Sequence, residues 1–274
     1  MIHLGLLGYP LEHSLSPKIH WTALRACGLQ GDYSLFPVPP DRAQGLEELL
    51  GRVRSGEITG LNVTIPYKQT VVRFLDELTP AAKAIGAVNT IYMRAGRLTG
   101  DNTDAPGFFA DLKHFIGNRE LGMGRSALVL GAGGSARAVV YALANDGWNI
   151  TVAARRREQA LAFAVQIENA KAVELHPSNF RASDFQLIIN ATPVGMKPNA
   201  GQSLLPEKVF LPPATFVYDL VYNPRETKFV KEARAAGLQA TAGLGMLVEQ
   251  AALAFELWTG YRPSREILFD SVDQ

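Results

Sequence analysis

The chain alternates between short apolar runs and amphipathic segments along most of its length. The segment from Ile2 to Leu7 and the segment ITGLNVTI are apolar and β-branched, which is typical of buried strands. Between them, Leu46, Leu49, Leu50 and Val53 recur at the spacing of one helix face. This alternation predicts an α/β fold, and ITGLNVTI is expected to form a central parallel strand.

Turn and capping residues separate further elements in the first part of the chain. Ser16 followed by Pro17 predicts a helix with Ser16 as its N-cap, and Gly28 is the expected stop signal. AVNTIYM and LTG, joined by the short turn RAGR, predict a β-hairpin. A helix is expected over 106–116, and residues 117–124 are the expected linker to a second domain.

The second domain is predicted to begin with ALVLGAGGSARAVVYALANDG, which has the order strand, glycine turn, helix. Gly131, Gly133 and Ala136 fit the pattern G-x-G-x-x-A. The first glycine permits a tight turn, the second lets the backbone approach a pyrophosphate, and the small third residue lets helix and strand pack closely. The pattern predicts dinucleotide binding, with a purely structural glycine turn as the alternative.

The rest of the chain continues the alternation of strands and helices. NITVAA, QLIINAT and TFVYDLVY are expected strands, and 157–168 and 228–236 are expected helices, which together predict a doubly wound, Rossmann-type sheet. MLVEQAALAFELWTG is an apolar helix expected to return to the first domain. The predicted boundaries are 1–104, 105–242 and 243–274.

Composition narrows the functional classes. The chain has 274 residues, 47% of them hydrophobic and 19% charged, and 27 basic against 26 acidic residues leave a formal net charge of +1. This balance gives no electrostatic reason to expect nucleic acid or a membrane surface as a partner. Cys27 is the one cysteine, and the five histidines show no metal spacing, so neither a disulfide nor a metal site is expected. We expect a cytoplasmic protein that acts on a small molecule, as a monomer or homodimer.

The end of NITVAA indicates which dinucleotide is bound. An NAD-selective site usually places Asp or Glu about 20 residues beyond the glycines, where it binds the ribose 2′-hydroxyl. This chain has Ala153, Ala154, Arg155, Arg156 and Arg157 there. Guanidinium groups bind phosphate by charge and by paired hydrogen bonds, so NADP is predicted. The alternative is a solvated basic start to a helix.

Seven motifs follow one another in the order found in one enzyme family. They are HSLSP at 13–17, NVTIPYK at 62–68, GAVNT at 86–90, GDNTD at 100–104, GAGGSARA at 131–138, NATPVGM at 190–196 and GLGMLVEQA at 243–251. With them the chain resembles the shikimate dehydrogenase family over nearly its whole length. The resemblance implies reversible, NADP-dependent reduction of 3-dehydroshikimate to shikimate, a step of aromatic amino-acid (chorismate) biosynthesis.

The resemblance also assigns roles to residues. It implies that Lys68 and Asp104 are the catalytic pair. The residues predicted to bind substrate are polar or aromatic: Ser14, Ser16, Asn62, Thr64, Asn89, Tyr222 and Gln250. The residues predicted to bind the cofactor surround the glycine turn and the later strand ends: Gly131, Ala132, Gly133, Gly134, Ser135, Arg155, Arg156, Thr192, Leu220 and Gly243. No metal is implied.

The chemistry of these residues agrees with that assignment. Reduction of a ketone places negative charge on its oxygen, which Lys68 could stabilise and protonate while Asp104 orients the ammonium group. Each residue also has a simpler interpretation. Lys68 could be solvated, Asp104 could be a helix N-cap, and Gln250 could make only core hydrogen bonds. Ser14 and Ser16 could likewise be capping or turn residues, and Tyr222 could serve packing alone.

The chain departs from the family at the end of the second strand of the cofactor domain. Members that use NADP commonly have Asn-Arg-Thr there, whereas this chain has Ala154, Arg155 and Arg156.

Two alternatives to an NADP-dependent shikimate dehydrogenase remain. A quinate/shikimate dehydrogenase using NAD would be expected to carry an acidic residue near Arg155. A non-catalytic NADP-binding regulator would not need Lys68 and Asp104.

Overall fold

A computed structural model describes residues 1–119, 124–175, 184–204 and 212–273. The chain forms two compact units: unit 1 comprises Met1–Gly107 and Leu247–Gln274, and unit 2 comprises Phe108–Met246. The predicted linker at 117–124 lies partly outside the described residues. Within the described part of the chain, no helix is both long and apolar enough to cross a membrane.

Unit 1 contains a six-stranded mixed sheet. Its strands are β1 (Ile2–Gly8), β2 (Gly31–Pro37), β3 (Gly60–Val63), β4 (Glu77–Leu78), β5 (Thr90–Arg94) and β6 (Arg97–Asp101), in the order β2-β1-β3-β5-β6-β4. β3 is parallel to β1 but antiparallel to β5, and β5 is antiparallel to β6. The expected strand is therefore central in the sheet, but it is parallel to only one of its two neighbours. The hairpin β5–β6 is confirmed. It changes the strand direction, because a short turn can join only antiparallel neighbours.

The α-helices that begin in the first part of the chain are α1 (Ser16–Ala26), α2 (Ala43–Arg54), α3 (Tyr67–Thr70), α4 (Pro80–Ile85) and α5 (Asp104–Ile116). The predicted apolar face of α2 packs in one core cluster with Leu61, Ile91 and Leu98 of the sheet. Ser16 is wrong as an N-cap, since it is already the first helical residue and its side chain caps nothing. The Ser14 hydroxyl instead accepts the Ser16 N–H at 3.2 Å.

Unit 2 contains a six-stranded parallel sheet. Its strands are β7 (Ser126–Leu130), β8 (Asn149–Ala154), β9 (Ala170–Glu174), β10 (Leu187–Asn190), β11 (Phe216–Asp219) and β12 (Gln239–Ala242). In the order β12-β11-β10-β7-β8-β9, strands are added on one side of β7 up to β9 and then on its other side from β10, which confirms the doubly wound fold. Its helices are α6 (Gly134–Asn145), α7 (Arg157–Ala164) and α8 (Lys228–Ala235). The helix predicted to reach residue 168 ends at Ala164, because the buried face ends there and Val165 is exposed.

Two helices carry the chain between the units. α5 contains the boundary between Gly107 and Phe108, and α9 (Leu244–Thr259) contains the boundary between Met246 and Leu247. α10 (Arg265–Val272) follows α9 and packs on α1. The C-terminal helices therefore return to unit 1, as predicted.

Candidate active site

Sheet topology brings the predicted catalytic and substrate residues of unit 1 to one edge. β1, β3 and β6 run in the same direction, so their carboxyl ends share that edge, and the antiparallel β5 begins there. Ser14 lies in the loop after β1, Thr64 and Lys68 follow β3, Asn89 precedes β5, and Asp104 follows β6. Residues far apart in sequence are therefore neighbours in space because of the strand order.

Lys68 and Asp104 form an ion pair. Lys68 Nζ lies 2.6 Å from Asp104 Oδ2, and the two side chains are 13% and 5% exposed. Both charged groups are thus largely shielded from water. A charge buried in this way is unfavourable unless it has a partner. The interpretation of Lys68 as a freely solvated lysine is excluded by this geometry.

The backbone around Lys68 holds it at the strand end. Lys68 lies in the short helix α3, which starts immediately after the NVTIP segment. Tyr67 packs into the core and its hydroxyl donates to the Val38 carbonyl at 2.8 Å. The Lys68 carbonyl accepts the Val88 N–H at 2.7 Å, so the lysine backbone is bonded to the segment that carries Asn89.

Asp104 is the first residue of α5 and is not its cap. The Ala105 N–H donates to Asn102 Oδ1 at 3.2 Å, while Asn102 Nδ2 donates to the Ala87 carbonyl at 2.9 Å. Because Asn102 supplies the capping acceptor, the Asp104 carboxylate can turn toward Lys68. The alternative that Asp104 is a helix N-cap is therefore wrong.

Asn89 connects the Lys68–Asp104 ion pair to α9. Its amide nitrogen donates to Asp104 Oδ1 and Thr103 Oγ1, both at 2.9 Å, and lies 3.3 Å from Gln250 Oε1. Its amide oxygen accepts the Thr103 N–H at 2.7 Å. Gln250 in turn donates to the Leu247 carbonyl at 2.7 Å. The side chains of Asn89 and Gln250 make core hydrogen bonds in this structure, and their contact with substrate remains a prediction.

Asn62 is a buried polar residue of β3. Its Oδ1 is hydrogen-bonded to the Tyr33 hydroxyl at 2.9 Å and to His20 Nε2 at 3.1 Å, and its Nδ2 donates to the Asn89 carbonyl at 3.3 Å. These partners place Asn62 in the interior, 4% exposed, as support for the Asn89 segment. Its predicted contact with substrate stays a prediction.

His20 was missed by the sequence reasoning. It is fully buried and stacks on Tyr33 with ring centroids 4.4 Å apart, and burial lowers the pKa of His20 to about 3. The ring is therefore neutral at physiological pH. The signal was available, because His20 falls at helical spacing with the buried residues Ile19, Ala23 and Leu24.

The glycine turn of unit 2 has the backbone geometry that was predicted. Gly131 has φ +120°, and a Cβ atom at this position would lie 2.9 Å from the Ala191 carbonyl oxygen. At Gly133 no described atom lies within 4 Å of an added Cβ, and α6 begins at the next residue, Gly134. Ala136 is fully buried. An open backbone at a helix N-terminus fits a pyrophosphate.

The residues that directly follow β8 are positively charged. β8 ends at Ala154, and the exposed residues Arg155, Arg156 and Arg157 follow, with α7 starting at Arg157. Arg156 occupies the N-cap position of α7 without a side-chain capping bond. Arg155 and Arg156 fit a 2′-phosphate, and they stand where an NAD site usually has a carboxylate for the ribose hydroxyls.

A second buried polar cluster, absent from the sequence-based site, lies at the carboxyl ends of β10 and β11. Asp219 Oδ1 accepts from Asn190 Nδ2 at 2.9 Å and from the Val221 N–H at 3.0 Å. Asp219 Oδ2 accepts from the Thr227 hydroxyl at 2.6 Å. Burial raises the pKa of Asp219 to about 6, although these three hydrogen bonds act in the opposite direction. Thr192, Leu220 and Tyr222, which were predicted to bind ligands, lie in the adjoining segments.

Family models match both ends of the chain. The model described as "Shikimate dehydrogenase substrate binding domain" matches residues 6–91, and "Shikimate 5'-dehydrogenase C-terminal domain" matches residues 243–267. The shikimate dehydrogenase (NADP(+)) of Caldanaerobacter subterraneus subsp. tengcongensis is 40% identical over 273 residues, covering 98% of this chain and 95% of the relative. The similarity therefore extends over both units.

Solved structures give the same result. The shikimate 5-dehydrogenase of Thermus thermophilus, in complex with NADP(H) and shikimate, has a TM-score of 0.86 and 40% identity and covers 99% of this chain and 98% of its own. The quinate dehydrogenase of Corynebacterium glutamicum in complex with NAD has a TM-score of 0.85 and 33% identity, with 98% of each chain covered. From the motifs, the two-unit fold and the near full-length identity to these relatives, the chain belongs to the shikimate dehydrogenase family.

Proposed function

We propose that the protein is an NADP-dependent shikimate dehydrogenase that reversibly reduces 3-dehydroshikimate to shikimate. The observation that carries the proposal is the buried Lys68–Asp104 pair, held by Asn89 at the polar edge of the unit 1 sheet. The glycine turn of unit 2 and the arginines after β8 supply matching support for NADP. Curated relatives of the same length carry the same activity in their names.

Lys68 is the proposed proton donor in the reducing direction. Bound NADPH would supply the hydride, and negative charge would then develop on the carbonyl oxygen of the substrate. An ammonium group beside that oxygen stabilises the charge and then gives up a proton. In the oxidising direction Lys68 accepts the same proton from the substrate hydroxyl.

Asp104 orients the ammonium group and binds a substrate hydroxyl. One of its oxygens is 2.6 Å from Lys68 Nζ, while the other accepts from Asn89. A carboxylate oxygen has more than one acceptor position, so either can also accept from a hydroxyl. The pair thus combines proton transfer with substrate placement.

The rest of the substrate site consists of neutral polar groups. Hydroxyl and amide side chains suit a ligand with several hydroxyls, because each replaces a hydrogen bond that the ligand makes with water. We assign to this role Ser14, Ser16, Asn62, Thr64, Asn89, Tyr222 and Gln250. Residues 1–104 form the proposed substrate-binding and catalytic domain, 105–242 the NADP-binding domain, and 243–274 the C-terminal helices that complete the first domain.

The cofactor would be held along the carboxyl edge of the unit 2 sheet. The turn Gly131, Ala132, Gly133, Gly134 and Ser135 would bind the pyrophosphate through backbone N–H groups at the start of α6. Arg155 and Arg156 would bind the 2′-phosphate. Thr192, Leu220 and Gly243 complete the proposed contacts and lie at the ends of β10, β11 and β12.

A quinate dehydrogenase using NAD is the second candidate function. A solved enzyme of that kind shares this fold, so the fold does not separate the two. The arginines after β8 favour NADP, because the residues that directly follow the strand are cationic where an NAD site usually has Asp or Glu. A non-catalytic regulator is disfavoured because it would have no use for a buried Lys68–Asp104 pair.

Initial-rate measurements separate these functions. Shikimate and quinate are each oxidised with NADP+ or NAD+ at matched concentrations. The proposal expects kcat/KM for shikimate with NADP+ to exceed the other three combinations by at least about tenfold. Highest efficiency with quinate and NAD+ would establish the second candidate, and cofactor binding without turnover of either substrate would establish a regulator.

The setting of the enzyme follows from the same proposal. Shikimate is a precursor of chorismate, so the protein would act in aromatic amino-acid biosynthesis. We propose a cytoplasmic location and a monomeric or homodimeric state. Size-exclusion chromatography with light scattering gives the mass directly, and a tetramer would contradict the proposed state.

A further inference from the structure

One buried carboxylate connects three segments at the carboxyl edge of the unit 2 sheet. Asp219 is the last residue of β11 and is fully buried. It accepts hydrogen bonds from Asn190 at the end of β10, from the Val221 N–H, and from Thr227 at the start of α8. No basic side chain in the described ranges forms an ion pair with it.

The hydrogen-bond pattern explains why residue 219 is an aspartate. All three partners are donors, and an ionised carboxylate is an acceptor at both oxygens. An asparagine keeps one acceptor oxygen but turns its NH2 group toward Thr227, whose hydroxyl would then have to accept instead of donate. A carboxylate is therefore favoured here despite the unfavourable burial of its charge.

The segments connected by Asp219 adjoin the proposed cofactor contacts. Asn190 Oδ1 accepts both the N–H and the hydroxyl of Thr192, at 2.9 and 2.7 Å. The carbonyl of Ala191 packs against Gly131, the first residue of the glycine turn. These contacts link the turn after β10 to both Asp219 and the glycine turn.

The segment after β11 is fixed at both of its ends. Asp219 holds Val221 at one end and Thr227 at the other, and Thr227 also caps α8 by accepting the Val230 N–H at 3.2 Å. The Val221 carbonyl accepts the Gly243 N–H at 3.2 Å. The strand ends carrying Leu220 and Gly243 therefore depend on the same carboxylate.

We propose that Asp219 is a positioning residue for cofactor binding, which holds segments 190–194 and 220–227 in the arrangement that NADP requires. The inference rests on the proposed function and adds a residue that touches neither reactant. Asp219 acts through Thr192, Leu220 and Gly243. Its loss should therefore change cofactor affinity more than substrate affinity, because most proposed substrate contacts lie in unit 1.

The test is the variant Asp219→Asn with Asp146→Asn as its matched control. Asp146 is also a carboxylate of unit 2 with side-chain partners, Arg125 and Trp148, but it lies after α6 at the amino-terminal edge of the sheet. Dissociation constants for NADP+ and for shikimate alone are measured by titration, and thermal midpoints are recorded for all proteins. Hydrogen exchange of the Val221 amide is measured without cofactor.

Asp219→Asn is expected to raise the Kd for NADP+ by about tenfold and to speed exchange at Val221, while the Kd for shikimate changes less than about threefold. Asp146→Asn should lower the thermal midpoint without changing either Kd. An unchanged Kd for NADP+ in Asp219→Asn, or equal losses for both ligands, would overturn the inference. Failure of the wild-type protein to bind NADP+ would instead overturn the proposed function itself.

A second pair of variants keeps the test valid if Asp219→Asn folds poorly. Thr227→Val removes the hydroxyl that donates to Asp219 and caps α8, and Thr227→Ser keeps both interactions. The valine variant is expected to weaken NADP+ binding about threefold to tenfold, and the serine variant to restore wild-type affinity. Equal affinities in the two variants would show that the bond to Asp219 does not set cofactor binding.

Discussion

Each unit buries one aspartate at the strand edge that carries its proposed ligand contacts, and the two aspartates have different partners. Asp104 in unit 1 pairs with the cation Lys68 and accepts a further bond from Asn89. Asp219 in unit 2 accepts, among the described residues, only from neutral donors. Both carboxylates are nearly inaccessible to water, at 3% and 0% exposure.

The difference separates two uses of a buried charge. A carboxylate beside an ammonium group gives a proton donor with a defined orientation, which is what carbonyl reduction needs. A carboxylate among neutral donors has no cation beside it to serve as a proton donor, but it can hold several segments at fixed distances. We therefore expect substitutions that break the Lys68–Asp104 pair to affect turnover, and substitutions of Asp219 to affect cofactor affinity.

Removing the cation from the unit 1 pair should have the largest effect. Lys68→Ala leaves Asp104 with neutral donors, as Asp219 already is, and should lower kcat by about 10²–10⁴-fold with KM for shikimate changed only several-fold. Steady-state kinetics measure both constants. Lys83→Ala, at an exposed lysine of α4, is the control and should behave as wild type. A rise in KM with unchanged kcat would mean that Lys68 only binds.

The stability of the two units should respond to pH with opposite signs. The pKa of His20 falls from 6.5 to about 3 on folding, so unfolded unit 1 takes up the proton and stability is lost as pH falls below 6.5. The pKa of Asp219 rises from 3.8 to about 6, so its contribution to unit 2 is greatest below 3.8 and is lost as pH rises through 6.

Calorimetry between about pH 7 and about pH 4.5 measures these slopes. With about 1.4 kcal/mol for each unit of pKa difference, unit 1 should lose about 2–3 kcal/mol and unit 2 should gain about 2 kcal/mol as the pH falls. His20→Gln should remove the first slope and Asp219→Asn the second. A common sign in both units, or slopes that persist in these variants, would contradict the comparison.

Cofactor selection should depend on charge at the end of β8. Arg155→Ala should weaken NADP+ binding by about 1.5–3 kcal/mol, the range for a hydrogen bond to a charged group, and should barely alter NAD+ binding. Arg157→Ala is the control, because it removes an exposed arginine at the first position of α7. Equal loss for both cofactors would show that Arg155 supports the fold and does not bind the 2′-phosphate.

The smallest effect is expected at the cap that leaves Asp104 available. Asn102→Ala removes the acceptor for the Ala105 N–H and should lower the free energy of unfolding by about 1–2 kcal/mol, with a several-fold loss of kcat. Asn102→Asp keeps the acceptor and should retain more stability in urea denaturation. If Asn102→Ala matches wild type in both measurements, Asn102 does not hold the start of α5.

Local patterns predicted most of the elements, although β2, β4, β9 and β12 were not predicted. The face of α2, the hairpin β5–β6 and the glycine turn were all recognisable, because periodicity and turn residues act over a few positions. Ser16 was wrong as an N-cap because the neighbouring Ser14 supplies the acceptor. Asp104 was open to two interpretations until Asn102 was found in the capping role.

Contacts between distant residues were beyond such patterns. His20 and Asn62 are 42 positions apart, and Asn190 and Asp219 are 29 apart. Neither pair has a local signature, since a histidine, asparagine or aspartate at a strand or helix end is ordinary in any protein. The Asp219 cluster was therefore missed, although NATPVGM, which contains Asn190, and the strand TFVYDLVY, which contains Asp219, had both been recognised.

The sequence by itself determined the alternating α/β pattern, the glycine turn, the basic end of β8 and the family motifs that contain Lys68 and Asp104. Each of these depends on residue type and on spacing along the chain. Only the tertiary structure decided that Lys68 faces Asp104, that Asn102 takes the cap, and that the described partners of Asp219 are neutral. Strand order and direction bring these groups together, and a buried polar group must bond to whatever that arrangement places beside it.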